Sequence, residues 1–264
     1  MKAILSIARY TIIEQIRNRL YLIILFFGAM ILLTSILIGT LAPSHRVRVI
    51  FDIGLFSIEI FGLVTAVFGA VTLVLQEIES KTVYLILTRP IQRSTYIIGR
   101  FIGLITAVMM TMLIMALLHI GTMTYIPLEF RIFLDTVDFW AVYPTLVFMS
   151  IGKMIMTTAI ALFFSLFATS SVSALIFTGG FWVAGHFGTE LAFLIEKSFT
   201  GVMAKVAHLL AVVFPNFQYF NFRDSFGFPE FPGFQFIGWA WLYALGYVAF
   251  FISLSSVLFS RKEF

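Results

Sequence analysis

From Leu20 to Ala42 the chain runs 23 residues without a charged side chain and stops at Pro43. At about 1.5 Å per helical residue, such a run crosses the roughly 30 Å of a bilayer's hydrocarbon core. A signal peptide carries a shorter apolar run before a small-residue cleavage site, so this run reads as a spanning helix. Apolar stretches over 52–75, 97–120, 139–167, 174–195 and 236–259 repeat it, and the fourth span, 139–167, is long enough to tilt or protrude. Composition closes the alternatives: 61% of the 264 residues are hydrophobic and 11% charged, against roughly 45–50% and 25% in soluble domains. A soluble enzyme, a nucleic-acid-binding domain and a disordered chain are thereby excluded. The expected fold is an all-α integral membrane protein, with six transmembrane helices in a single domain over 1–264.

Ahead of the first span, residues 1–19 mix Lys2, Arg9, Glu14, Arg17 and Arg19 with Ile4, Leu5, Ala8, Ile12 and Ile16 at helical spacing. That pattern predicts an amphipathic helix lying in the membrane interface. Six spans put both termini on one side. Ten Lys and Arg lie on the side that holds the termini, the 76–100 stretch and the 168–173 turn. Six lie on the other: Arg46, Arg48, Arg131, Lys197, Lys205 and Arg223. The excess predicts cytoplasmic termini. Gly99-x-x-x-Gly103 and Gly62-x-x-x-Ala66-x-x-x-Ala70 are faces on which helices can approach closely.

The motifs of catalysis are missing. The sequence holds no H-E-x-x-H, no G-x-S-x-G and no phosphate-binding P-loop, so no proteolysis, acyl transfer or ATP hydrolysis is expected of the chain itself. With no cysteine it has no disulfide or thiolate metal site. No catalytic, cofactor-binding or metal-ligating residue is expected. What remains is a set of ionisable groups inside spans, where charge is expensive and marks function by default. Asp52 and Glu59 share a face seven residues apart, Ser150, Lys153 and Thr157 form a polar stripe, His186 and Glu190 are four apart, and His119 closes the third span. Glu59 and Lys153 are expected to meet or to line one polar path, with His186 and Glu190 as further pathway groups; structural pairing between helices is the plainer alternative. The stretch 214–236 has nine Phe, three Pro and two Gly among 23 residues. It cannot be a regular spanning helix. The 196–235 region is expected outside the cytoplasm, with 206–213 part of a re-entrant hairpin. Two readings stay open for its aromatic part, an outer gate that contacts substrate and an interfacial anchor.

The strongest signal lies between the second and third spans. Glu77 and Glu79 precede a short amphipathic helix, Pro90 ends it just after Arg89, and Arg93 and Arg100 follow. Leu85, Ile86 and Ile91 are apolar in a loop that faces water, the mark of a docking surface. Here the chain resembles the permease subunits of type-2 ATP-binding-cassette (ABC) exporters, in the pattern E-x-E-x-x-T, a Leu-rich turn, R-P-I-x-R, then Tyr96 and Gly99-Arg100. The copper-enzyme-maturation permeases are the subgroup it looks most like. Glu14-x-x-Arg17-Asn18-Arg19, Phe214-Pro215-Asn216-Phe217 and Phe259-x-Arg261-Lys262 extend the resemblance along the chain, while Arg100 stands where the family usually has Lys and Thr88 where Ser is common.

The resemblance implies a noncatalytic membrane subunit in the inner membrane of a prokaryotic cell, spanning it several times. The first helix would be the connecting elbow. The 76–96 segment would dock on a separate ABC ATPase through Glu77, Glu79, Thr82, Leu85, Ile86, Arg89, Pro90 and Arg93. A second permease chain, in a homodimer, would face the first across the translocation path. This chain would bind no cofactor; ATP and Mg would be held by the partner ATPase. Its other surroundings are membrane lipid, not nucleic acid. The rival is a stand-alone secondary transporter or channel that couples ions through Glu59, Lys153 and His186. An intramembrane enzyme has no motif in its favour.

Overall fold

The computed structural model describes residues 2–75, 77, 92–125, 130–132, 139–197, 201–223 and 233–261, and every regular element among them is helical. Helix α1 (Lys2–Arg17) is divided from α2 (Arg19–Thr40) by Asn18, whose extended backbone and side-chain oxygen cap α2 by accepting from the Leu20 N–H at 3.0 Å. A 3₁₀ turn at Pro43–His45 leads into α3 (Arg46–Ala70), which widens into a π-helical turn at Val71–Leu75. Then come α4 (Arg93–Thr124), α5 (Phe139–Phe167), α6 (Ser171–His186), α7 (Gly188–Lys197), α8 (Gly201–Val213) and α9 (Phe234–Arg261). A reciprocal capping box between Ser170 and Ser173 starts α6 after the short turn from α5.

Among the described residues five helices are long and apolar enough to cross a membrane: Arg19–Thr40, Pro43–Val74, Arg93–Thr124, Phe139–Phe167 and Phe234–Arg261. The expected span over 174–195 is not one helix. It breaks at Phe187 into α6 and α7. At 16 residues α6 is only about 24 Å long at about 1.5 Å per residue. The cause is a crossing segment. A Cβ on Gly185 would lie 2.6 Å from the Pro215 carbonyl oxygen, and one on Gly188 2.6 Å from Asn216 Cγ. Glycine at these places lets the Pro215 carbonyl pass against Gly185 and the Asn216 side chain against Gly188. The 206–213 stretch, expected in a hairpin, is the larger part of α8.

The central helices are α3 and α5. Of the most apolar window of α5, 78% is buried, whereas α2 and α9 bury 22% and leave their apolar side chains outward, as a lipid-facing surface requires. Close approach is set by glycine. Gly28 of α2 accommodates Met115, and Gly62 of α3 accommodates Met112 and Met154. Gly99 and Gly103 of α4 are where α1 lies: a Cβ at Gly103 would stand 2.5 Å from Thr11 Cβ and 2.8 Å from the Ala8 carbonyl oxygen. This changes the reading of α1. Its buried face is Ala8, Thr11 and Gln15, while Leu5, Tyr10 and Ile13 are exposed. Ile7 lies against Gly99, and the face that holds Leu5, Tyr10 and Ile13 turns away from the bundle.

Candidate functional site

Lys153 lies halfway along α5, about 21 Å from its first residue at about 1.5 Å per residue. Its side chain is 2% exposed and its ammonium is ion-paired with Glu59 of α3. An unpaired charge at that depth costs roughly 2.5–3.5 kcal/mol on insertion scales, which the partner offsets. A third group meets them from α6: His186 Nε2 is 3.2 Å from Lys153 Nζ and 3.8 Å from the Glu59 carboxylate. The imidazole is held by its other nitrogen, because Nδ1 lies 2.8 Å from the Trp182 carbonyl one turn earlier. A carbonyl only accepts, so Nδ1 carries the proton, and Nε2 accepts from the lysine. Thr157 donates to the Lys153 carbonyl, which places the expected polar stripe along the lysine's own helix.

These groups border a cavity of about 140 Å³, lined by Phe56, Glu59, Ile60, Lys153, Trp182, His186, Asn221 and Arg223. Glu59 and His186 keep 21% and 24% of their side-chain surface exposed, so the cavity opens outward from the buried lysine. Its far wall comes from the Phe-rich stretch. Phe217–Phe220 forms a 3₁₀ turn capped by Asn216, with Phe217 and Phe220 buried against Gly185 and Gly152. Asn216 N–H donates to Tyr243 Oη at 2.8 Å, and Gln218 Nε2 donates to the His186 carbonyl at 2.9 Å. This part of the stretch is therefore inside the bundle, not spread along an interface. The rest of it, 224–232, lies outside the described residues.

A second buried charge sits near the start of α4. Arg100 is fully buried. Its Nη1 donates to Glu14 Oε2 at 2.7 Å and to Thr11 Oγ1 at 3.1 Å, both on α1, and its Nη2 pairs with the Glu77 carboxylate. Tyr96 Oη donates to the other oxygen of Glu77 at 2.5 Å. The rings of Tyr10 and Tyr96 lie 5.3 and 5.6 Å from the guanidinium carbon. Tyr96 also stacks on Phe259 of α9, with ring centroids 5.3 Å apart, and Arg93 Nη1 donates to the Phe259 and Ser260 carbonyls at 3.0 Å. One end of α4 thus ties together α1, Glu77 and the end of α9.

Of the residues singled out in the sequence, Glu59, Lys153 and His186 come together. Glu190 does not join them: the helix ends at His186, so the four-residue spacing crosses the break, and Glu190 lies exposed in the first turn of α7. Asp52 bonds Arg48 at 2.9 Å. His119 is buried against Tyr143, 3.1 Å from its hydroxyl. Glu77 and Arg93 face inward, onto Arg100 and α9. Glu79, Thr82, Leu85, Ile86, Arg89 and Pro90 lie outside the described residues. Among the described residues no three of His, Cys, Asp and Glu cluster as metal ligands would. Sequence reasoning missed the Arg100–Glu14–Glu77 network, although the same rule of intramembrane charge that flagged Lys153 applies to Arg100. It also missed Trp182, while Asn221 and Arg223 fall in the 214–236 stretch for which an outer gate contacting substrate was one of the two open readings.

With this geometry in place, two comparisons bear on the chain. A family model described as "ABC-2 family transporter protein" matches residues 5–264. No curated protein matches it.

Proposed function

The chain belongs to the ABC-2 family of transporter proteins, and from that premise we propose that it is the membrane subunit of an exporter driven by a separate ABC ATPase. It is a multi-pass membrane protein of a kind that works as a transport component. In the proposed reading it sits in the inner membrane of a prokaryotic cell with both termini in the cytoplasm. Helix α1 is the elbow, and α6 with α7 makes the sixth crossing, fifth in chain order. Two copies face each other across the path, and ATP and Mg are held by the ATPase. Within the family the proposed subgroup is that of the copper-enzyme-maturation permeases, which the chain resembles.

The observation that carries this reading is the anchoring of Glu77. The polar 76–96 segment begins at a residue bound to Arg100, and Arg100 also holds α1. A force applied to that segment would reach the elbow and α4 through charge-assisted bonds. Leu85 and Ile86 are the apolar anchors of the docking surface, with Glu79 and Arg89 at its rim, since central apolar groups carry most interface energy. The test is copurification with a candidate ABC ATPase. Leu85→Asp is expected to abolish it while leaving membrane insertion intact; unchanged copurification would falsify the docking assignment. Topology is tested separately, with single cysteines introduced into this cysteine-free chain. An impermeant thiol reagent is expected to label Arg223→Cys, but not Lys81→Cys, from outside intact cells. The Glu59–Lys153–His186 cluster favours one other reading, ion-coupled transport by the chain alone. Substrate accumulation in vesicles that hold the chain, an ion gradient and no ATPase would establish it.

A further inference from the structure

The cavity beside Lys153 is bordered by more donors than its own residues use. Lys153 gives one hydrogen to Glu59 and one to His186 Nε2, and an ammonium has three. The Trp182 indole N–H is buried and has no acceptor, although a buried indole usually finds one. Arg223 lines the same cavity and makes no ion pair among the described residues. Its backbone is held in place, the carbonyl accepting from Arg48 Nη2 at 3.4 Å. Against these donors the walls offer one carboxylate, Glu59, already bound to Lys153. With His186 in the tautomer fixed by the Trp182 carbonyl, two cations face one anion. Of the remaining walls, Phe56, Ile60 and the face of Trp182 are apolar, and Asn221 is a neutral amide whose Nδ2 donates to Gln218 Oε1 at 3.3 Å.

We propose that this cavity is a binding site for an anionic oxygen-acid group, a carboxylate or phosphate, carried on an apolar body. The acid oxygens accept from the Trp182 N–H and the Arg223 guanidinium, with the third hydrogen of Lys153 at the inner end. About 140 Å³ holds a head group and little more, so the apolar body lies along Phe56 and Ile60 toward the opening. An arginine fork matches two acid oxygens at once, whereas a neutral or cationic head group would leave both Arg223 and the indole unmatched. The site stands on this geometry alone; that its ligand is the exported molecule rests on the permease reading.

The experiment uses the full chain purified in a neutral detergent, without any ATPase, so that its outcome is independent of docking. Hexyl phosphate is titrated calorimetrically, with hexyltrimethylammonium as the charge-reversed probe and inorganic phosphate as the head group alone. Saturable binding of hexyl phosphate is expected, with none of the ammonium probe. Arg223→Gln is expected to raise Kd about tenfold and Trp182→Phe, which keeps the ring and removes the N–H, about fivefold, both with unchanged melting temperature. Tighter binding of hexyl phosphate than of inorganic phosphate identifies an amphiphile, and equal binding overturns the apolar body of the proposed ligand. In phosphatidylcholine discs, competition by added phosphatidylglycerol identifies a lipid head group as the source, and its absence a soluble one. The proposal is overturned if the ammonium probe binds as tightly as hexyl phosphate, if neither anion binds, or if both variants keep Kd within about twofold of the parent. Any of these results together with intact ATPase copurification removes the site and leaves the permease reading standing.

Discussion

Arg100 and Lys153 are both buried cations on long helices of the bundle, and they are housed in opposite ways. Arg100 is matched at both terminal nitrogens, and only its Nε lacks a partner among the described residues. Two carboxylates, a hydroxyl and two aromatic faces surround it, and the groups come from α1, from Glu77 and from its own helix. Lys153 has one carboxylate and one neutral imidazole, and it ends at a cavity. The first site has an excess of negative partners; the second has an excess of positive ones and an opening. The planar fork of arginine suits a tie between several elements, while the ammonium is a compact charge with a donor to spare. Burial alone therefore does not tell a structural charge from a functional one. The number of unmatched donors and the space beside them do.

The largest effect should come from emptying the first site. Arg100→Met leaves Glu14 and Glu77 facing each other without a counter-charge. A loss of about 3–5 kcal/mol is expected, read as collapse of the monodisperse peak on size exclusion and of the melting temperature. Arg100→Lys should lose less, since one ammonium cannot fork between both carboxylates. If Arg100→Met melts like the parent, the contrast between the sites is wrong. Lys153→Met should cost somewhat less, about 2–3 kcal/mol, because Glu59 keeps some exposure. Adding Glu59→Gln should restore about half of that, a coupling that a double-mutant cycle measures. Equal loss in the double and the single variant would mean that the two residues act separately.

Smaller effects sharpen the comparison. Gly103→Val places carbon against the Ala8 carbonyl and Thr11, and overpacking there should cost about 1–3 kcal/mol. It should also raise the protease sensitivity of α1 while leaving the Lys153 cavity and its ligand affinity alone. Tyr243→Phe removes the acceptor of the Asn216 N–H and should cost about 1 kcal/mol, loosening the wall of the open site without touching Arg100. Arg223→Gln should leave stability within about 0.5 kcal/mol in a thermal melt, because no described partner is lost. A large loss there would recast Arg223 as a structural residue and make the two sites alike.

The sequence by itself determined the class of this protein and most of its long helices. An uncharged run such as 20–42 has one stable outcome in a bilayer, because hydrocarbon offers no partner for backbone N–H and C=O groups. It also marked Glu59 and Lys153 as charges that need a reason, and Gly99 and Gly103 as a face for close approach. It could not say what lay on that face. Periodicity gave α1 an apolar face, but only packing decided which residues meet the glycines: Ile7 at Gly99, and Ala8 with Thr11 at Gly103. The fifth apolar run looked continuous because nothing within 174–195 forbids a helix. Its break comes from Pro215–Phe217, distant along the chain, crossing at Gly185 and Gly188. Trp182, Asn221 and Arg223 meet at the cavity for the same reason. Hydropathy and periodicity describe how each segment meets its solvent, while a site is made where segments meet one another, and that depends on side-chain volumes contributed by several segments at once.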